Sequence, residues 1–146
     1  MRKIVSALIA LGIVLAIGRA GSSKEELTDY LASNAAPAYH KPLLENEFVL
    51  VLDVSIPPGI TVPAHVHPWP AVFITLQPAD LVFRNLAGEI VREIRSPSGA
   101  AHDPKVEWRE PDEQPASVAN VGTRELRALR IELKFLGSGG RRPTSR

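Results

Sequence analysis

The chain has 146 residues, of which 45% are hydrophobic and 23% charged, with 13 prolines, 10 glycines and no cysteine. That length fits one domain, and the lack of cysteine excludes disulfides and lipid modification at a Cys. Residues 1–20 hold three of the 17 basic residues and none of the 16 acidic ones, so 14 stand against 16 beyond them, a net charge of −2 that asks for neither nucleic acid nor an anionic surface.

Arg2 and Lys3 precede an uncharged, largely apolar run from Ile4 to Ile17, and Gly18 and Ala20 then supply small residues before a cut after Ala20. The run of 14 residues is shorter than the roughly 20 that span a bilayer. Residues 1–20 therefore read as a cleaved signal peptide, which implies a periplasmic or secreted protein without membrane contact after cleavage. Arg19, close to the cut, keeps an uncleaved N-terminal anchor as the alternative.

Ser23 and Glu26 fit a capping box, and Leu27, Tyr30 and Leu31 follow at helical spacing, so a short helix is expected over 24–33. Residues 34–42 read as a loop, with His40 beside Lys41-Pro42 as a solvated side chain. From Phe48 onward the pattern turns to strands. Phe48, Leu50, Leu52 and Val54 alternate on one face, and Pro57-Pro58-Gly59 ends the strand as a turn. Further extended segments are expected over 60–67, 72–76, 81–83 and 89–94, with Ala87-Gly88 as a hairpin turn. After a Pro/Gly/Ala loop over 96–103 come segments at 106–108, 117–121 and 125–135, and Asn120 before Val-Gly reads as a backbone-bonding turn residue. In the last strand Leu129, Ile131, Leu133 and Phe135 are expected to face the core, with Arg130, Glu132 and Lys134 opposite and a bulge near Ala128. Arg124, Arg127 and Arg130 then form a charged strand face. Residues 137–146 read as a flexible tail. Many short strands after one helix indicate an all-β sandwich or barrel.

The segment Gly59-Ile-Thr-Val-Pro-Ala-His65-Val-His67-Pro carries the chemistry. On a strand, residues i and i+2 share a face, so His65 and His67 can present two imidazoles to one ion. With the glycine six residues before His65, the chain resembles the cupin superfamily, whose first motif runs Gly, five residues, His-x-His, three or four residues, Glu, six residues, Gly. Gly59, His65 and His67 match; the Glu position falls on Ala71 or Val72 and the later glycine near Pro78. The second motif, a histidine four residues before an asparagine, is similar to the segment 115–122, with Asn120 present and Ala116 at the histidine position. The likeness covers Glu45 to Lys134. It implies a single-domain cupin-like β-barrel (double-stranded β-helix, jelly-roll type) over 45–136, preceded by an N-terminal helix and loop over 21–44.

The resemblance implies a metal held by three histidines and a glutamate, of which this chain keeps two. Metal is therefore expected only if a substitute ligand joins His65 and His67. His102 is the first choice by ligand type, followed by Glu107, Asp112, Glu113, Gln114 and Ser117. Trp69 and Trp108 offer apolar area and an N–H at a pocket mouth, with core or rim packing as the plainer role. Phe73 and Ala116 complete the candidate lining. No catalytic residue and no organic cofactor is indicated. The leading expectation is an exported barrel that binds a small molecule with little or no catalysis. The alternatives are a metal-dependent oxygenase, isomerase or decarboxylase using His65, His67 and a third ligand, and a structural module that forms a homodimer.

Overall fold

A strand whose alternate residues are apolar folds with those residues inward, and β2 (Val49–Ile56) follows that rule throughout: Leu50, Leu52, Val54 and Ile56 are buried. Phe48, expected on the same inward face, precedes the strand and is exposed. The computed structural model describes residues 27–96 and 103–136. Around β2 stand β1 (His40–Glu45), β3 (Thr61–His65), β4 (Ala71–Gln77), β5 (Leu81–Arg84), β6 (Ile90–Ile94), β7 (Lys105–Arg109), β8 (Ala116–Asn120) and β9 (Leu126–Leu133). They form two antiparallel sheets, one ordered β1-β2-β9-β4-β7 and the other β3-β8-β5-β6. The core lies between them: Leu50, Leu52, Val54, Ile56, Leu126 and Ala128 come from the first sheet, and Val62, Leu81 and Val118 from the second.

The turns form where glycine and asparagine permit. Gly59 takes a φ of 75° after Pro57-Pro58, and its N–H donates to the Asn120 carbonyl at 2.9 Å. Gly88 takes 82° in the β5–β6 hairpin, where the Asn85 side chain accepts from the Ala87 and Glu89 N–H groups. Asn120 is itself buried; its amide donates to the carbonyls of Ile56 and Arg124 and accepts from the Gly122 N–H, pinning the β8–β9 turn.

Two expectations are overturned. β9 turns Leu126, Ala128, Arg130 and Glu132 inward and leaves Leu129, Ile131 and Leu133 half-buried on the outside; Phe135 is exposed in a 3₁₀ turn that follows. Register is the reason. β9 pairs with β2 without a slip from Val49↔Leu133 to Ile56↔Leu126, which sets Arg130 opposite Leu52 and Glu132 opposite Leu50, and opposed residues share a face. The irregularity near Ala128 belongs to β4, between Thr75 and Gln77. The short N-terminal helix is present as a 3₁₀ turn at Thr28–Tyr30 and one helical turn, α1 (Ala32–Ala35). The second reversal concerns residues 34–42. The segment expected to be a loop then enters β1 at His40, ahead of the boundary at 45. The capping box, the leader over 1–20 and the tail over 137–146 lie outside the described residues. Among the described residues, no helix is long and apolar enough to cross a membrane.

Candidate metal centre and pocket

Two strand ends and the segment that follows one of them bring three histidines together. β1 contributes His40, β3 ends on His65, and His67 follows two residues later; all three are buried. Their ring centroids lie 4.6, 5.1 and 5.2 Å apart. One ring nitrogen from each lies within 4.8 Å of the other two. His40 is thus no solvated loop residue. It is 2% exposed and supplies the third imidazole that the sequence reading sought in His102, which lies outside the described residues.

The remaining nitrogens decide the tautomers. His40 Nδ1 lies 3.2 Å from the Ala36 carbonyl and His65 Nδ1 2.7 Å from the Pro63 carbonyl. A carbonyl only accepts, so each Nδ1 carries the proton and donates. His67 Nδ1 lies 2.6 Å from Glu132 Oε1. That oxygen also accepts from Arg130 Nε at 3.0 Å, and two donors converging on it are the surroundings of a carboxylate. His67 therefore also donates through Nδ1. In a neutral imidazole this leaves the Nε2 lone pair free on all three rings.

Electrostatics keeps the rings neutral. Burial, followed by His67 and His65, lowers the His40 pKa to about 3. Burial lowers His65 against the opposing Pro63 carbonyl, and burial followed by Arg130 takes His67 well below the usual histidine range. Beside the triad, Asp112 accepts the His67 N–H through Oδ2 at 2.8 Å, and burial raises its carboxyl. Burial also pushes Glu132 up, with Arg130 opposing. Burial lowers the Arg130 guanidinium from its usual high value, yet it remains a cation at neutral pH.

The triad opens into a cavity of about 400 Å³, lined by residues of both sheets. Phe73, Trp108 and Ala116 line it, with Trp108 45% exposed at the rim. Trp69 does not; it borders a smaller cavity of about 170 Å³ and lies under Lys134 Nζ, 5.5 Å from the ring centroid. Of the other substitute ligands named from sequence, Asp112 and Gln114 line the main cavity. Glu107 pairs with Lys105 and Arg109, Ser117 donates to the Arg84 carbonyl, and Glu113 is exposed. The alanines at the expected ligand positions border the triad. Ala116 pairs with His65 across β3–β8, and Ala71 pairs with Glu132 across β4–β9. An imidazole and a carboxylate are thus present beside them, delivered by β1 and β9. Arg130 is 5% exposed and its Nη2 is buried without a hydrogen-bond partner, an arrangement that costs on the order of 1–3 kcal/mol when left unmatched.

Sequence reasoning missed His40 because β1 buries only that residue of its six, so no periodicity marks the strand. It missed Arg130 and Glu132 because their parity on β9 looks like a solvated face. The one available signal was the demand for a third ligand in a chain with four histidines.

No family model matches the sequence, and no curated protein does. Solved structures do. The chain is similar to a cupin domain from Bordetella pertussis Tohama I, at 21% identity, over 65% of this chain and 91% of that one, with a TM-score of 0.51. It is also similar to an RmlC-like cupin family protein with a double-stranded β-helix fold from Methanocaldococcus jannaschii, at 12% identity over 64% and 77% of the two chains, TM-score 0.46. A cupin 2 conserved barrel domain protein from Salinispora arenicola CNS-205 follows at 16% identity, 67% and 76% coverage and a TM-score of 0.44. With its two facing antiparallel sheets and the Bordetella domain's overlap, this chain has a cupin-like β-barrel fold.

Proposed function

We propose that this protein is a metal-dependent cupin acting on a small molecule, with His40, His65 and His67 as the protein ligands. One observation carries the reading: each Nδ1 is tied to a carbonyl or carboxylate oxygen, and one ring nitrogen from each of the three buried histidines lies within 4.8 Å of the others. Metal-binding histidines are held in this way, with the second nitrogen tied to a carbonyl or carboxylate that sets tautomer and ring direction. A divalent ion held by these three histidines would supply Lewis-acid polarisation or an activated water. The chain's own groups supply the rest. Glu132 orients His67, Asp112 brings a carboxyl whose raised pKa suits proton transfer, and the cavity gives a small molecule a largely apolar wall beside the triad. The sequence of residues 1–20 supports export, and with it a periplasmic or extracellular setting for this chemistry.

The test is metal analysis of untagged protein after loading with zinc, cobalt, nickel or iron(II). About one ion per chain is expected, lost in His40→Ala and in the His65→Ala/His67→Ala pair. No ion bound by the wild type overturns the reading, and stoichiometric metal retained by His40→Ala removes His40 from the site.

A further inference from the structure

We infer that the cavity binds a small organic carboxylate, with the anion on Arg130 and the apolar body against Phe73, Phe83 and Trp108. This names the ligand class of the pocket proposed above; it rests on that pocket and not on the metal. Arg130 is the starting point. Its guanidinium is buried inside a barrel, Nε is taken by Glu132, and Nη2 points to no acceptor among the described residues while the side chain lines the cavity. A planar guanidinium fork is the group that best matches the two oxygens of a carboxylate.

The charge of the lining agrees. Three arginines, Arg92, Arg109 and Arg130, line the cavity with two carboxyls, Glu110 and Asp112, while Glu107 and Glu132, which pair with Arg109 and Arg130, do not line it. Arg92 and Arg109 are held on aromatic faces, 5.4 Å from the Phe83 centroid and 5.3 Å from that of Phe73. Most of the remaining wall is apolar, including Val54, Ile56 and Leu81. A phosphate dianion suits this wall less well, because its extra oxygens would meet hydrocarbon. Arg130 Nε and His67 Nδ1 meet on the same Glu132 oxygen, so a carboxylate bound to the guanidinium sits near the triad.

Calorimetric titration of the full protein decides the matter, in EDTA and again after metal loading. The probes are straight-chain carboxylates from acetate to octanoate, phenylacetate, its neutral amide phenylacetamide, and inorganic phosphate. Expected is saturable one-to-one binding of at least one carboxylate in EDTA, with phenylacetamide and phosphate about tenfold weaker or absent. Arg130→Lys, which keeps the charge beside Glu132, should weaken binding about tenfold. Arg130→Met/Glu132→Leu, which removes the buried pair together, should abolish it while circular dichroism stays native. The inference is overturned if no carboxylate of the set binds below about 1 mM, if amide and acid bind alike, or if the double variant still binds. Carboxylate binding in a protein that takes up no metal would sink the metal reading and leave this one standing. Metal uptake without carboxylate binding would do the reverse.

Discussion

β2 and β9 lie side by side in one sheet, paired over eight residues, and both alternate strictly between buried and less buried positions. β2 buries Leu50, Leu52, Val54 and Ile56. β9 buries Leu126 and Ala128 and then, in the same file, Arg130 and Glu132. The backbone geometry is shared; the chemistry changes halfway along one strand. The half of the β2–β9 interface near Leu126 is apolar and, through Val54, Ile56 and Leu126, walls the main cavity. The half near Glu132 carries the buried Arg130–Glu132 pair and fixes a histidine. Local violations of patterning are expected where function overrides stability, and here the violation points at the site.

The comparison can be broken first at the metal. His67→Ala should weaken metal affinity by more than 100-fold, whereas Leu52→Ala should leave it unchanged; calorimetry on both separates the ligand cluster from the packing of β2. Next comes stability. Glu132→Ala strands a buried guanidinium and should cost about 3–5 kcal/mol in urea denaturation. Leu52→Ala removes only packing and should cost about 2–5 kcal/mol. The discriminating variant is Arg130→Met/Glu132→Leu, which gives β9 the inward face of β2. It should be about neutral or more stable than wild type, with metal affinity down about 10–100-fold because His67 loses its acceptor.

A third prediction uses pH. The histidine pKa values are depressed in the fold, that of His40 from 6.5 to about 3, so the unfolded chain binds protons that the triad refuses. Stability is full above the unfolded value of 6.5 and falls as pH drops from there toward about 3. Glu132 and Asp112, raised by burial, take up protons earlier in the folded state than in the unfolded one and oppose that loss at the acid end. Urea midpoints of metal-free protein at pH 7.5 and pH 5 should show the decline; an unchanged midpoint contradicts the buried neutral triad. The smallest effect is expected outside. Lys134→Ala removes an ion pair with exposed Glu45 and a contact over Trp69 and should cost less than about 1 kcal/mol.

What the sequence conveyed follows the same divide. β2, the Pro57-Pro58-Gly59 turn, the Ala87-Gly88 hairpin and His65-x-His67 were all readable, since each rests on local alternation, turn chemistry or strand spacing. The inward face of β9 was not, because alternation alone cannot say which parity faces the core when both contain large side chains. Only pairing with β2 decides it. His40 was hidden for the opposite reason. Its strand buries a single residue, so it carries no apolar rhythm, and the residue's role exists only through contacts with strands far along the chain.

β1 is the outermost strand of its sheet, held by β2 alone, while His65 ends a strand of the opposite sheet. An ion shared by His40, His65 and His67 would therefore act as a clasp, closing the chain between residues 40 and 67 and fastening a free edge to the far wall. Edge strands open early in local unfolding, so amide hydrogen exchange along β1 should slow on metal loading while exchange along β2 barely changes. The last ligand to be recognised would then also govern how long the N-terminal edge stays closed.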